Sequence, residues 1–260
     1  MRVGRSFMLA CLVALLGGCT AQPIEVATVG PGSLTDGLLA HWPLDEGTGL
    51  MANDTSNNGH NGVLQGPGLT WVMGRFGGAV HFSGTDLITV AGFPRPTTSY
   101  TVAAWVSIAP GEVGMPIANL VSTEVVGGGW ALFATLGIGP GAAPQTYSFE
   151  YAGSTSPSQP LVAAACTCVM TSGWVHLAAV LDGDAKTLTL YVNGVQSMVT
   201  TAPAPIIPGS TTLDIGHSTR QEPGAAFPVT GAIDDVAIYD RPLEPEEVMQ
   251  IATARVPDPS

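Results

Sequence analysis

The chain has 260 residues, 20 acidic and 8 basic, for a net charge of −12. That balance excludes nucleic acid and anionic lipid headgroups as natural electrostatic partners, while divalent cations and neutral polymers such as glycans stay open. Only 11% of residues are charged, and 33 glycines and 21 prolines suit many short strands joined by tight turns rather than helices.

In chain order, the N-terminus comes first. Arg2 and Arg5 form a basic n-region, Phe7 to Leu16 an apolar stretch, and Gly17-Gly18 a pair of small residues before Cys19. Residues 1–18 read as a secretory signal, too short for the ~20 apolar residues that a bilayer span needs. The run Leu16-Gly17-Gly18-Cys19 resembles a bacterial lipoprotein signal, in which Cys19 becomes the lipid-bearing first residue. An ordinary secretory signal is the alternative. Acyl chains, at ~0.8 kcal/mol per buried methylene, would anchor the protein to the cell envelope. Thr20 is not aspartate, so by the same resemblance nothing signals inner-membrane retention, and the outer membrane or cell surface is expected. Residues 19–36 then read as a flexible tether.

Strand signals recur from residue 37. Leu38, Ala40, Trp42 and Leu44 alternate onto one face, and Ala79–Phe82 and Leu87–Val90 are split by the turn cluster Ser83-Gly84-Thr85-Asp86. Strands are expected over Thr101–Ile108, Ile117–Ser122, Trp130–Thr135 and Tyr147–Tyr151, with 136–146 and 153–160 left as loops. Trp174–Asp182 is almost unbroken apolar sequence, as in a strand buried on both faces. Thr187–Val192 and Val195–Thr201 flank Asn193-Gly194, the preferred pair for a type I′ hairpin turn. Leu213–Ile215 and Thr230–Tyr239 complete the strands. Pro245, Glu246 and Glu247 open a short helix that carries Val248, Ile251 and Ala252 at helical spacing. The prediction is all-β: one two-sheet antiparallel sandwich over 37–252 with a C-terminal helix, followed by a tail over 253–260.

Several segments resemble laminin-G-like, concanavalin A-like lectin/glucanase jelly-roll domains. They are Leu39–Gly49 with Asp54–Gly62, Arg75–Gly84, Tyr100–Val106, Trp174–Ala178, Leu190–Gly194 and Ile233–Leu243, in that order. The resemblance covers about 37–252 and is weakest between 109 and 172. It is specific for the fold and weakly specific for activity, because one fold hosts lectins, adhesion modules and hydrolase appendages.

The acidic edges supply the leading site. At the parity of Val236 and Ile238, Asp234 is predicted to face inward, where a lone carboxylate costs several kcal/mol unless paired or metal-bound. No lysine or arginine stands out as its partner. Asp54 sits in Asp-Thr-Ser-Asn-Asn-Gly, a loop dense in the oxygen donors that calcium prefers. The resemblance implies a calcium ion tying this loop to the last strand. Asp54 and Asp234 are then expected as ligands, with carbonyls near Asn57 and His60, and Asp235 assisting. The alternative is carboxylates that cap turns without metal.

Other residue types divide between core and site. Trp42, Trp105 and Trp174 are expected in the core, while Trp71 and Trp130, beside glycine-rich loops, are candidate platforms for a sugar ring. Cys166 and Cys168, at i and i+2, either form a local disulfide or remain free thiols. The histidines show no spacing suited to a zinc site or catalytic dyad. Jelly-roll glucanases carry alternating acids on one strand, and here Glu150 stands alone while Asp234-Asp235 are adjacent. The expectation is a non-catalytic, lectin-like module binding glycan or a protein partner at the envelope. An assembly component without sugar binding is the alternative, and a degenerate glycoside hydrolase a remote one. Specificity is expected in loops 109–116, 136–146 and 153–160.

Overall fold

The computed structural model describes residues 33–108, 117–125, 128–135, 146–151, 162–166, 173–202, 205–217 and 227–259. Cys19, Cys168 and most of the three expected specificity loops lie outside them.

Two antiparallel sheets face each other, with strands numbered in chain order. The first runs β14 (Val195–Thr201), β13 (Thr187–Val192), β12 (Val175–Asp182), β7 (Tyr100–Ser107), β16 (Thr230–Tyr239), β5 (Gly78–Ser83) and β4 (Thr70–Met73), with β1 (Leu38–Trp42) also paired to β16. The second runs β11 (Val162–Ala165), β10 (Thr146–Tyr151), β9 (Trp130–Thr135), β8 (Ile117–Ser122), β15 (Thr212–Ile215), β6 (Leu87–Ala91), β3 (Gly62–Gln65) and β2 (Met51–Ala52). This is the expected jelly-roll sandwich. The strands that escape the sequence pattern, β2, β3, β4 and β11, are only two to four residues long, and none is fully buried.

Alternation fills the space between the sheets. Val102, Leu177 and Ile233 point inward from the first sheet and meet Leu120, Leu132, Phe149 and Leu213 from the second. Each fully buried side chain of this size contributes roughly 1.5–3 kcal/mol. The first sheet is covered on its outer face as well. There Ala103, Ala178 and Tyr239 pack under Leu243, under Val248 and Ile251 of helix α1 (Pro245–Ile251), and under Val256 beyond it. Two covered faces explain why β12 reads as a continuous apolar run. Val256, in the C-terminal tail, belongs to this layer and packs on the sandwich.

Turn chemistry follows the sequence. Asn193 and Gly194 both take positive φ, 52° and 77°, as a type I′ turn requires, and Val192 pairs with Val195 across it. Asp86 closes the turn between β5 and β6 by accepting from the amides of Ser83 (2.9 Å) and Gly68 (2.9 Å) and from the Ser83 hydroxyl (2.8 Å). Helix α1 starts where Glu247, fully buried, accepts from the Glu244 amide at 2.9 Å and takes both ends of the Arg241 guanidinium at 2.7 Å.

Strand β16 is the hub. Its first half pairs with β5 as far as Ile233–Val80, and its second half pairs with β1 from Val236–Trp42. Between them lies a bulge at which Asp235 adopts φ 51°. The bulge resets the alternation. Ile233, Val236 and Ile238 all face the core, whereas Asp234 sits opposite Trp105, whose neighbours Ala104 and Val106 point into the core. The expectation that Asp234 faces inward is therefore corrected: a constant parity was carried across an irregular strand.

Candidate functional site

The fork where β1 and β5 part from β16 gathers the acidic residues. Strand β1 leaves through Pro43 to Asp45, and Asp45 Oδ1 accepts the Gly78 amide at 2.5 Å where β5 begins. On the opposite wall, Asp234 Oδ2 accepts the amides of Arg75 (2.7 Å) and Phe76 (2.9 Å). Space there is tight, because a Cβ added at Gly74 would lie 2.0 Å from the Gly78 carbonyl and 2.6 Å from Asp234 Oδ2. Asp235 accepts from His41 Nε2 at 2.9 Å, and His41 Nδ1 bonds the Thr55 hydroxyl at 2.8 Å. As an acceptor-only carboxylate, Asp235 fixes the proton on Nε2.

Into this fork reaches Arg255. Its guanidinium hydrogen-bonds Asp45 Oδ2 and the Phe76 carbonyl, and its Nε lies 3.5 Å from Asp235 Oδ1. Arg255 pairs with Asp45 and Asp235, while Asp234, for which the sequence offered no basic partner, feels it only through its field. Arg255 lies 20 residues after Asp235, beyond the only helix among the described residues, and linear proximity did not reveal it. The signal available was scarcity: a basic residue following an acid-rich edge in a chain with only 8 of them.

Electrostatics separates the two adjacent acids. Burial drives the Asp234 carboxyl up to about 7, and the Asp235 charge adds to this against the amides of Phe76 and Arg75 and the field of Arg255. Its Oδ1 is buried without a hydrogen-bond partner. For Asp45, burial opposes ionisation, but the Arg255 contact and the Gly78 amide prevail and hold the carboxyl below its ordinary value.

Asp54 has a different environment. Its Oδ1 accepts the amides of His41 (3.0 Å) and Ser56 (2.9 Å), and its Oδ2 accepts that of His60 (2.8 Å). Burial opposes its ionisation, and these bonds outweigh it, so the carboxyl is held below the usual range. The His60 carbonyl accepts the Trp42 indole N–H at 2.8 Å, and Asn57, at φ 70°, reaches the Pro259 carbonyl at 3.5 Å. A calcium ion shared by Asp54 and Asp234 does not fit this arrangement. Asp54 is turned onto backbone amides, Asp235 is taken by His41 and Arg255, and no group of three His, Cys, Asp or Glu among the described residues could hold a metal. The donors expected to converge on one ion serve separate protein partners.

The tryptophans redistribute. Trp130 is 3% exposed, stacks on Phe149 with centroids 5.9 Å apart and belongs to the core, so its place as an exposed platform is corrected. It sits at the start of β9 with inward parity, and the neighbouring glycines do not uncover it. Trp71, on outermost strand β4, is half-buried and donates to the Gly49 carbonyl at 3.2 Å. Trp105 is buried on the outer face of the first sheet, against His176 and beneath Arg75, whose guanidinium carbon lies 4.8 Å from the ring centroid. Desolvation lowers the His176 ring to about 3, which keeps it neutral. Cys166, at the end of β11, is buried and disulfide-bonded; Cys168 lies outside the described residues.

Two further groups of polar residues bear on ligand binding or catalysis. A cavity of about 320 Å³ opens beside the fork, lined by Asp45, Glu46, Asn53, Thr55, Arg255 and Asp258 over Pro43. Glu46 Oε1 accepts from the Asn53 amide (2.7 Å) and side chain (3.0 Å), and Glu46 Oε2 has no hydrogen-bond partner. On the second sheet, Glu150 is the only acid of β10, and its acidic partner comes from another segment. Its carboxyl bonds that of Glu124, burial raises it, and Asn119 Nδ2 donates to Glu124 Oε2 at 3.2 Å.

With sheet order, bulge and fork in place, the comparisons decide the family. Residues 82–249 match the family described as the concanavalin A-like lectin/glucanases superfamily. The chain belongs to that superfamily. None of the curated proteins matches it. Among solved structures, domain 4 of the extracellular arabinanase AbnA from Geobacillus stearothermophilus, in complex with arabinotriose, is 21% identical with a TM-score of 0.60, covering 83% of this chain and 98% of that one. The binding domain of Paraclostridial Mosquitocidal Protein 1 is 15% identical with a TM-score of 0.64, covering 85% of this chain and 52% of that one. The ligand-binding domain of botulinum neurotoxin serotype D, in complex with N-acetylneuraminic acid, is 12% identical with a TM-score of 0.61, covering 84% and 51%. The chain spans about half the length of those two toxin domains, and at these identities the likeness concerns the fold.

Proposed function

We propose that this superfamily member is a non-catalytic glycan-binding module, exported and lipid-anchored to the cell envelope through Cys19. The carrying observation is the cavity beside the fork. Its volume of about 320 Å³ falls at the lower end of small-ligand sites, ~300–1,000 Å³. Carboxylates, an amide, a hydroxyl and a guanidinium ring it, a mixed set of donors and acceptors suited to the hydroxyls of a neutral sugar. Relatives of the same fold were solved with arabinotriose and with N-acetylneuraminic acid, which supports a saccharide as ligand class. Trp71, partly buried on β4, offers its remaining exposed surface as a further stacking face.

The non-catalytic reading draws support from the strand pattern. A glycosidase pair stands ~5–9.5 Å apart to flank the scissile bond. On β10 Glu150 is the only acid, so the alternating carboxylates that jelly-roll glucanases carry on one strand are missing there.

A glycan array probed with the mature chain tests the reading, with Glu46→Ala and Asn53→Ala as controls. Saccharide binding that both substitutions weaken about tenfold supports it; a blank array, or binding indifferent to both, refutes it. Replacing Cys19 with serine should move the protein from the membrane to the soluble fraction, and retention at the membrane would refute the anchor.

A second reading, a protein-docking or assembly role, draws on another observation. Val195 (61% exposed), Val199 (43%) and Met249 (41%) lie along outermost strand β14 and helix α1, beside an open cavity of about 470 Å³. Blank arrays together with co-purification of a defined envelope partner, lost on Val195→Lys, would favour it.

A further inference from the structure

The fork brings Asp45, Asp234 and Asp235 around one point at which the strand partners of β16 change. Carboxylates gathered where the first and last strands of the sandwich meet need a counter-charge, and a divalent ion is one way to supply it. This chain carries its own. Arg255 contacts Asp45 and the Phe76 carbonyl, stands 3.5 Å from Asp235, and is only one-third exposed at its side chain. The planar guanidinium presents five donors in a fork, so one side chain can bridge a carboxylate, a backbone carbonyl and a second carboxylate on three different segments.

The residues after α1 hold that group in place. Val256, 2% exposed, is buried beside Arg255 in the layer outside the first sheet. The Asp258 carboxylate lies 3.9 Å from His41 Nδ1, and the Pro259 carbonyl meets Asn57. The tail over 253–259 thus touches the loop after β1, the 54–60 loop and the entry to β5.

We propose that Arg255 is the resident cation of this junction: the segment after α1 supplies as a guanidinium the positive charge that a bound metal would otherwise provide, so closure of the first strand of the sandwich against its last needs no divalent ion. The inference concerns the unliganded fold and stands apart from the glycan reading.

The test uses thermal unfolding of the mature chain without sugar, in EDTA and in millimolar calcium chloride. Wild type is expected to melt at the same temperature in both. Arg255→Met, which keeps much of the volume and removes the charge, is expected to melt at least about 3 °C lower. Should that variant fail to fold, Asp45→Asn serves instead: it keeps the acceptor for the Gly78 amide but drops the charge facing Arg255, and a smaller fall of the same sign is expected. A wild-type melting point that drops in EDTA and recovers with calcium overturns the proposal, as does a folded Arg255→Met or Asp45→Asn protein with wild-type stability. Failure of glycan binding would leave these melts unaffected, so the two readings fail separately.

Discussion

His41 and Asp235 stand 194 positions apart in sequence and share a 2.9 Å hydrogen bond with both side chains buried. The pair joins β1 to the bulge of β16 and so connects the start of the sandwich to its end. Replacing His41 with alanine removes the donor, leaves Asp235 to Arg255 alone and leaves the Thr55 hydroxyl only the backbone carbonyl of residue 41. An unsatisfied buried polar group costs roughly 1–3 kcal/mol, so His41→Ala should lower the urea midpoint accordingly. A midpoint within error of wild type would show that the pair is not what ties these strands.

Asp234 gives the fold a pH dependence of unusual sign. Its carboxyl is raised from 3.8 to about 7 by burial and by neighbouring Asp235. Between those values the folded chain holds a proton that the unfolded chain has released, so stability falls as pH rises through that window and levels off above it. Asp45, Asp54 and Asp86, all held below their ordinary values, act oppositely and cost stability as pH drops below about 4. Asp234→Asn keeps an acceptor for the Arg75 and Phe76 amides and removes the titration. Its melting temperature relative to wild type should therefore be higher at pH 8 than at pH 4.5. Parallel melting curves across that range would contradict the assignment.

Much of this was legible in the chain. The hairpin at Asn193-Gly194, the twice-covered β12 and the helix opened by Pro245 each rest on local pattern, and local pattern is what sequence carries. The fork was not, for two physical reasons. Parity reasoning assumes a regular strand, whereas the bulge at Asp235 turns Asp234 away from Val236 and Ile238. The counter-charge arrives from Arg255 on a segment with no secondary structure to announce it, so an expected metal took its place. Trp130 was misplaced by its glycine neighbours, although its strand parity pointed to the core.

Asp54 was expected to matter as a metal ligand, and the structure gives it importance for another reason. Three amides, from His41, Ser56 and His60, converge on its carboxylate. Asp54→Ala removes their acceptor and should cost on the order of 2 kcal/mol, since water can re-satisfy some of the amides in this partly buried loop. The loss should be identical in EDTA and in calcium. A deficit seen only with calcium present would restore the ligand role.

Arg241 and Glu247 offer a test of how helix α1 is held. The carboxylate is fully buried, both of its oxygens meet the guanidinium at 2.7 Å, and Oε2 also accepts the Glu244 amide. Burial opposes ionisation of Glu247, but the Arg241 contact outweighs it and lowers the carboxyl, while the same contact raises Arg241. Removing one partner leaves the other charge uncompensated, at roughly 3–5 kcal/mol for a buried pair, with less expected here because Arg241 is partly exposed. Glu247→Gln and Arg241→Met should each destabilise, and the double substitution should cost clearly less than the sum of the two. Additive losses in chemical denaturation would mean that the contact contributes no coupling, and that α1 stays on the sheet through Val248, Ile251 and Leu243 alone.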